Sequence, residues 1–172
     1  LAEVLLKDAA HLQEEDANYL NRKGLTRHQP ALPLFDDADV EESLKLFETV
    51  PLHQDRELSP RFSFRYRDAG HLLGAASVDL TVREGGRQTR ILFSGDVGRF
   101  QTVLAHDPEL APPADYLVVE STYGNRSHAA VPVKEQLLAA LTRTFARGGV
   151  LLIPAFAVGR AQQMILLMHT LV

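Results

Sequence analysis

The first part of the chain has the apolar spacing of helices. Over residues 1–23, apolar positions recur at helical intervals, acidic residues cluster on the other face, and Gly24 is a natural C-terminal stop. After a proline-containing connection, Asp37 or Asp39 is placed to cap a second helix over about residues 40–47. Two helices are therefore expected before any strand.

The pattern then changes to period two. Apolar and polar residues alternate over 61–67 and again over 77–82, which is typical of half-buried strands. The pair Gly85-Gly86 supplies a tight turn into a third strand over about 89–93. These three segments predict an antiparallel sheet.

The remaining segments alternate between strand and helix. After a proline-containing loop over 100–114, the apolar run 116–120 predicts a buried strand, and Pro132 begins a helix that reaches Arg147. A fully apolar strand is predicted over 150–153, followed by a last helix from about Val158. Antiparallel strands followed by strand–helix alternation indicate a mixed α/β fold.

Composition narrows the possible chemistry. The 172 residues fit one domain or a large piece of a bigger protein, and both ends fall inside predicted helices, so a segment of a longer protein is expected. Residues 1–60 carry a net charge of −7 and residues 61–172 one of +3, which is compatible with an anionic substrate. Without cysteine, a transition metal would need His, Asp or Glu ligands. No apolar run has the length of a membrane span, and no signal peptide is recognised.

Two predicted strands end in glycine-flanked loops that each carry one type of metal ligand. His71 lies in the loop 68–74, and Asp96 lies in the loop 93–99. Imidazole is a good zinc ligand, and a carboxylate can bridge two metal ions of a phosphodiesterase. The alternatives are a loop histidine bound to backbone and an aspartate that closes an Asx turn.

Glu120 is a third group at a strand end. It closes the run 116–120, where an acid could bind a metal or orient a neighbouring histidine. The alternative is that Ser121 or Thr122 caps a turn and that Glu120 is merely solvated beside it. The three strand-end groups in sequence favour a site more strongly than any one of them.

Four segments together resemble the β-CASP branch of the metallo-β-lactamase-fold nucleases. The resemblance covers nearly the whole chain and is closest to RNA-processing members from prokaryotes. The segments are Asp68–Ala75, Phe93–Arg99, Glu120–Gly124 and Pro154–Gln162.

The resemblance implies a site that holds two zinc ions. In it His71 would be a ligand of one ion and Asp96 would bridge both. Glu120 would act with Asp96 in catalysis, by orienting a histidine that protonates the leaving oxygen, and Asp68 is a further supporting partner. Residues 1–124 would be part of the metallo-β-lactamase αββα sandwich, and residues 125–172 the start of the inserted β-CASP α/β domain.

The chain also departs from the family pattern. The motif H-x-H-x-D-H, which supplies most metal ligands, is absent, and the later β-CASP histidines would lie beyond Val172. The chain is therefore expected to lack N-terminal strands and to be inactive alone. The six other histidines are assigned surface or structural roles: His11, His28, His53, His106, His128 and His169.

The expected function is metal-dependent hydrolysis of phosphodiester bonds, with RNA as the favoured substrate, in a cytoplasmic full-length protein that could form a homodimer. Gly159 and Arg160 begin the last helix and are expected to contact the nucleic-acid backbone, although a salt bridge of Arg160 is an equal alternative. A non-catalytic scaffold subunit, or a hydrolase of thioesters, lactams or lactones, remains the alternative function.

Overall fold

The protein has two compact units, divided between Val50 and Pro51. They are seen in a computed structural model, which describes residues 1–127 and 131–171. None of the helices in these described ranges combines the length and apolarity that crossing a membrane requires.

The first unit pairs the two helices expected from the sequence, α1 (Ala2–Lys23) and α2 (Asp37–Leu44). Ala10, Ala17, Ala31 and Val40 form its buried core. Lys7 links the helices by an ion pair with Glu41 at 2.6 Å. Gly24 ends α1 as predicted.

The cap of α2 differs from the prediction. Asp36, not Asp37 or Asp39, is the N-cap, and its carboxylate accepts a hydrogen bond from the Asp39 N–H at 3.0 Å. The Asp39 side chain in turn accepts from the Asp36 N–H at 3.1 Å. Asp39 therefore takes the third position of a capping box, which requires the cap to lie three residues earlier.

The second unit is built on a mixed sheet of five strands in the order β1-β2-β3-β4-β5. The first three pairs are antiparallel, and β4 pairs with β5 in parallel. Gly85 and Gly86 form the predicted hairpin turn, with Glu84 opposite Arg87. The strands are β1 (Asp55–Ser59), β2 (Phe62–Asp68), β3 (Ala76–Glu84), β4 (Arg87–Phe93) and β5 (Tyr116–Val118).

The register separates the two faces of the sheet. Phe64 lies opposite Leu80, which lies opposite Ile91, so one face is apolar. On the other face Arg65 lies opposite Asp79. Because side chains alternate along each strand, this register holds the charged residues on one side.

Two helices follow the sheet, α3 (Val133–Phe145) and α4 (Arg160–His169), so the mixed α/β class is confirmed. Three details of the prediction for this unit were wrong. β5 is exposed rather than buried, since Tyr116, Leu117 and Val118 are 61%, 57% and 53% exposed. β1 was not predicted, and no strand forms over the described residues 150–153. Val150 and Leu152 are each 83% exposed there, without the strand neighbours that a buried parallel strand requires.

Candidate active site

The candidate site lies where three strands of the sheet end. β2 ends at Asp68, β4 at Phe93 and β5 at Val118. These strands run in one direction, so their carboxyl ends share one edge of the sheet. Ser94 joins two of the ends, because its N–H donates to the Val118 carbonyl at 2.9 Å and its Oγ accepts from the Glu120 N–H at 3.0 Å.

The loops that carry His71 and Asp96 pack directly against each other. The Gly98 N–H donates to the Ala69 carbonyl at 2.7 Å. A Cβ atom at Gly98 would overlap the carbonyl group of Gly70, so only glycine permits this approach. Two exposed side chains with metal-ligand chemistry, an imidazole and a carboxylate, are therefore carried on neighbouring loops.

Glu120 binds the backbone of the Asp96 loop. Its Oε1 accepts a hydrogen bond from the Val97 N–H at 2.7 Å. That bond, a further one from Thr122 and the charge of His71 lower the pKa of Glu120 and outweigh the opposing effect of burial. An ionised Glu120 therefore braces the loop that carries Asp96.

Asp68 shapes the chain immediately before His71. Its Oδ1 accepts a hydrogen bond from the Gly70 N–H at 2.8 Å, which makes an Asx turn. Its Oδ2 lies 3.4 Å from Nδ1 of His106. The carboxylate thus contacts the backbone of the His71 loop and a histidine of another loop.

The start of α4 lies beside the His71 loop. Gly159, with φ 83°, is the N-cap of α4, and a Cβ atom there would overlap the Leu72 side chain. Arg160 follows as an exposed residue. The N-terminus of α4 and a guanidinium are consequently near the loop of His71.

The metal ligands present are few. Among the described residues, no group of three His, Cys, Asp or Glu side chains is arranged to hold a metal ion. His71 and Asp96 have the donor chemistry that zinc accepts, but a catalytic zinc ion usually has three protein ligands. These two residues therefore fit part of a zinc-binding set.

Glu109 lies at the periphery of the site and was not predicted from the sequence. Its Oε1 accepts from the Asp68 N–H at 3.0 Å and also contacts His53 Nε2, while Oε2 lies 3.6 Å from Arg67. These partners are up to 56 residues away in sequence. No local pattern could have identified the residue.

A polar groove of about 450 Å³ lies on the charged face of the sheet. Arginines and carboxylates are balanced along its walls, so the groove offers no net attraction for an anion. The charged lining residues are Arg65, Arg83 and Arg90 with Asp55, Glu57 and Asp79.

Apart from His106 beside Asp68, the other described histidines contact residues outside the two proposed ligand loops or are exposed. His11 lies 3.5 Å from Glu15 on α1, and His53 contacts Glu109. His28 and His169 are exposed. His128 lies outside the described residues.

Comparison with known proteins finds similarity to proteins named as ribonucleases. It is 34% identical over 173 residues to ribonuclease TTHA0252 of Thermus thermophilus, a match covering 99% of this chain and 35% of that protein. It is 31% identical over 140 residues to an RNase J-like protein of Methanocaldococcus jannaschii, covering 78% and 32%. It is 36% identical over 137 residues to endoribonuclease YSH1 of Yarrowia lipolytica, covering 78% and 16%. No protein-family model matches the chain.

The chain therefore belongs to the β-CASP branch of the metallo-β-lactamase-fold nucleases, as its four motifs predict. It spans only about a third or less of the length of these relatives.

Proposed function

We propose that the complete protein containing this chain is a metal-dependent ribonuclease that hydrolyses phosphodiester bonds in RNA. The observation that carries the proposal is the contact of Gly98 with the Ala69-Gly70 backbone, because it brings the loops of His71 and Asp96 together. The names of the related ribonucleases support RNA as the substrate. A cytoplasmic location and a homodimer of the complete protein belong to the same proposal.

The assignment of the two domains is part of the same proposal. Residues 1–124 belong to the metallo-β-lactamase αββα sandwich, and residues 125–172 begin the β-CASP domain. The apolar face of the sheet supports this assignment, since Phe62 and Phe93 on that face are 41% and 38% exposed and a second sheet of the sandwich would cover them.

His71 and Asp96 would hold zinc together with ligands from the rest of the protein. Two zinc ions are proposed, and His71 and Asp96 would be among the residues that hold them. When bound, such a pair activates water and stabilises the charge on the phosphoryl oxygens.

The chain's own side chains would orient this chemistry. Glu120 holds the Asp96 loop through the Val97 N–H, so its carboxylate keeps a proposed ligand in position. The same carboxylate is proposed to orient a histidine that protonates the leaving oxygen. Gly159 and Arg160 are proposed to bind a phosphate of the RNA, because a helix N-terminus and a guanidinium both favour anions.

The test is cleavage of a labelled single-stranded RNA by the complete protein, with DNA of the same sequence in a parallel assay. His71→Ala and Asp96→Asn are expected to lower kcat/KM by more than about 100-fold, since each removes a metal ligand rather than a supporting contact. His11→Ala, on the exposed face of α1, is the matched control and should cleave normally.

Undiminished cleavage by His71→Ala would contradict the assigned site. Cleavage of DNA but not RNA would contradict the substrate. A wild-type protein that binds RNA and never cleaves it would instead favour the scaffold role.

A further inference from the structure

Glu109 is tied to the strand end that presents His71 by two reciprocal hydrogen bonds. The Glu109 N–H donates to the Asp68 carbonyl at 3.0 Å. The Asp68 N–H donates back to Glu109 Oε1, also at 3.0 Å. A side chain 41 positions away thus completes the backbone pairing of β2 at its last residue.

The Glu109 carboxylate is itself held in place. Oε1 also contacts His53 Nε2, and the His53 N–H donates to the Tyr66 carbonyl at 2.9 Å. Arg67 lies 3.6 Å from Oε2. Burial raises the pKa of Glu109, but the hydrogen bonds from His53 and Asp68 and the charges of His53 and Arg67 outweigh it and lower that pKa.

The same segment packs against the turn before His71. A Cβ atom at Gly70 would lie 2.6 Å from the Pro108 nitrogen and 2.7 Å from the His106 carbonyl oxygen. Gly98 contacts the other side of this turn. This turn therefore lies between two loops, and the hydrogen bonds of Glu109 with Asp68 hold one of them in place.

We propose that Glu109 is a positioning residue for His71, and that it acts by accepting the Asp68 N–H rather than by its charge. The inference rests on the proposed metal site. Asp68 is the first residue of the Asx turn that leads to His71, so a shift of its N–H is passed along the turn to the imidazole. Partners that hydrogen-bond a ligand directly typically change metal affinity 10–100-fold, so a brace that acts through the turn is expected at the low end of that range.

In the complete protein, two substitutions separate the effect of side-chain length from the effect of side-chain charge. Glu109→Gln keeps the length and the acceptor oxygen but removes the charge. Glu109→Asp keeps the charge but is one methylene too short to reach the Asp68 N–H. We expect Glu109→Gln to bind zinc within about threefold of wild type and Glu109→Asp to bind it about tenfold more weakly, measured by competition with a chromophoric chelator. Glu84→Asp, at the opposite end of β3 and paired with Arg61, is the matched control.

Two further readouts distinguish positioning from a loss of folding. At saturating Co²⁺, the visible spectrum of Glu109→Asp should differ from wild type, whereas that of Glu109→Gln should match it. Amide hydrogen exchange at Asp68 and Gly70 should accelerate in Glu109→Asp alone. Zinc affinity in Glu109→Asp equal to wild type would overturn the proposal, as would an equal loss in both variants. A wild-type protein that binds no zinc would refute the proposed function instead, and the exchange rates would still decide whether Glu109 braces the turn.

Discussion

Asp79 is a carboxylate held between two arginines on the charged face of the sheet, and its side chain is only 5% exposed. Oδ1 accepts a hydrogen bond from Arg90 Nε at 2.7 Å, and Oδ2 accepts from Arg67 Nη2 at 3.2 Å. Removing one partner from such a group leaves the other charges buried without compensation. A single substitution in the cluster should therefore destabilise the sheet by more than the net energy of the intact cluster would indicate.

Asp79→Asn is expected to lower the free energy of unfolding of the chain by about 3 kcal/mol, because it removes the carboxylate charge that Arg67 and Arg90 share. Urea denaturation at pH 7 measures the change. Glu84→Gln removes an exposed pair with Arg61 and should change the stability by less than about 1 kcal/mol. Equal stability of Asp79→Asn and wild type would refute the role assigned to the cluster.

The pH dependence of the same variant has a definite sign. Hydrogen bonds from Arg90, opposed by burial and aided by Arg67, lower the pKa of Asp79 in the folded chain. The unfolded chain, with an ordinary pKa of about 3.9, therefore binds more protons in acid. The contribution of Asp79 is complete above that pH and is lost as the pH falls through the folded pKa, so the acid limb of the stability curve should be flatter in Asp79→Asn.

The site residues differ in how readily they can be predicted from the local sequence. His71, Asp96 and Glu120 each follow a strand-like run, and glycines beside them mark sharp turns, so a short window suffices to select them. Glu109 lies in a proline-containing loop, and its importance depends on Asp68, 41 positions away. Only the folded chain, which closes that long loop, brings the two together.

At the scale of elements, the close contact between Gly159 and Leu72 fixes where α4 begins. Gly159 contacts Leu72 where a side chain would not fit, so the N-terminus of α4 lies next to the His71 loop. Its first N–H groups have no side-chain cap. The Arg160 and Ala161 N–H groups donate to the Val158 and Phe156 carbonyls, so it is the helix dipole that favours an anion at this end.

Arg160→Ala is expected to weaken RNA binding by the complete protein and to reduce the slope of log K against log salt by about one phosphate contact. Filter binding at several salt concentrations measures both quantities. Arg143→Ala, an exposed arginine near the end of α3, is the matched control and should leave the slope unchanged. An affinity unaltered at every salt concentration would refute the contact.

Elements were predictable where the hydrophobic period was clear. β2 and β3 follow alternation and were identified, since burial of one face imposes that pattern, whereas β4 was identified from the glycine turn before it. β1 was missed because its sequence has one apolar residue, Leu58, which is 65% exposed; backbone pairing with β2 alone makes it a strand. The opposite error occurred over residues 150–153, where apolar composition alone does not make a strand.

At the scale of the whole molecule, the number of metal ligands limits the RNA hydrolysis expected of this chain alone. Only His71 and Asp96 are assigned as ligands, and the chain contains no H-x-H-x-D-H motif. The described residues hold no three-ligand cluster that could substitute for it. The described sheet and its loops thus carry part of the proposed site, and the remaining ligands are proposed to come from the rest of the complete protein.

The 172-residue chain by itself is accordingly expected to bind zinc weakly and to show no appreciable RNA hydrolysis. Two ligands leave a zinc ion mostly coordinated by water, so equilibrium dialysis followed by metal analysis should find well under one zinc ion per chain at micromolar zinc. His71→Ala is the control that defines non-specific uptake. Two tightly bound zinc ions per wild-type chain, absent from His71→Ala, would contradict the ligand count and would mean that other side chains of this chain complete the site.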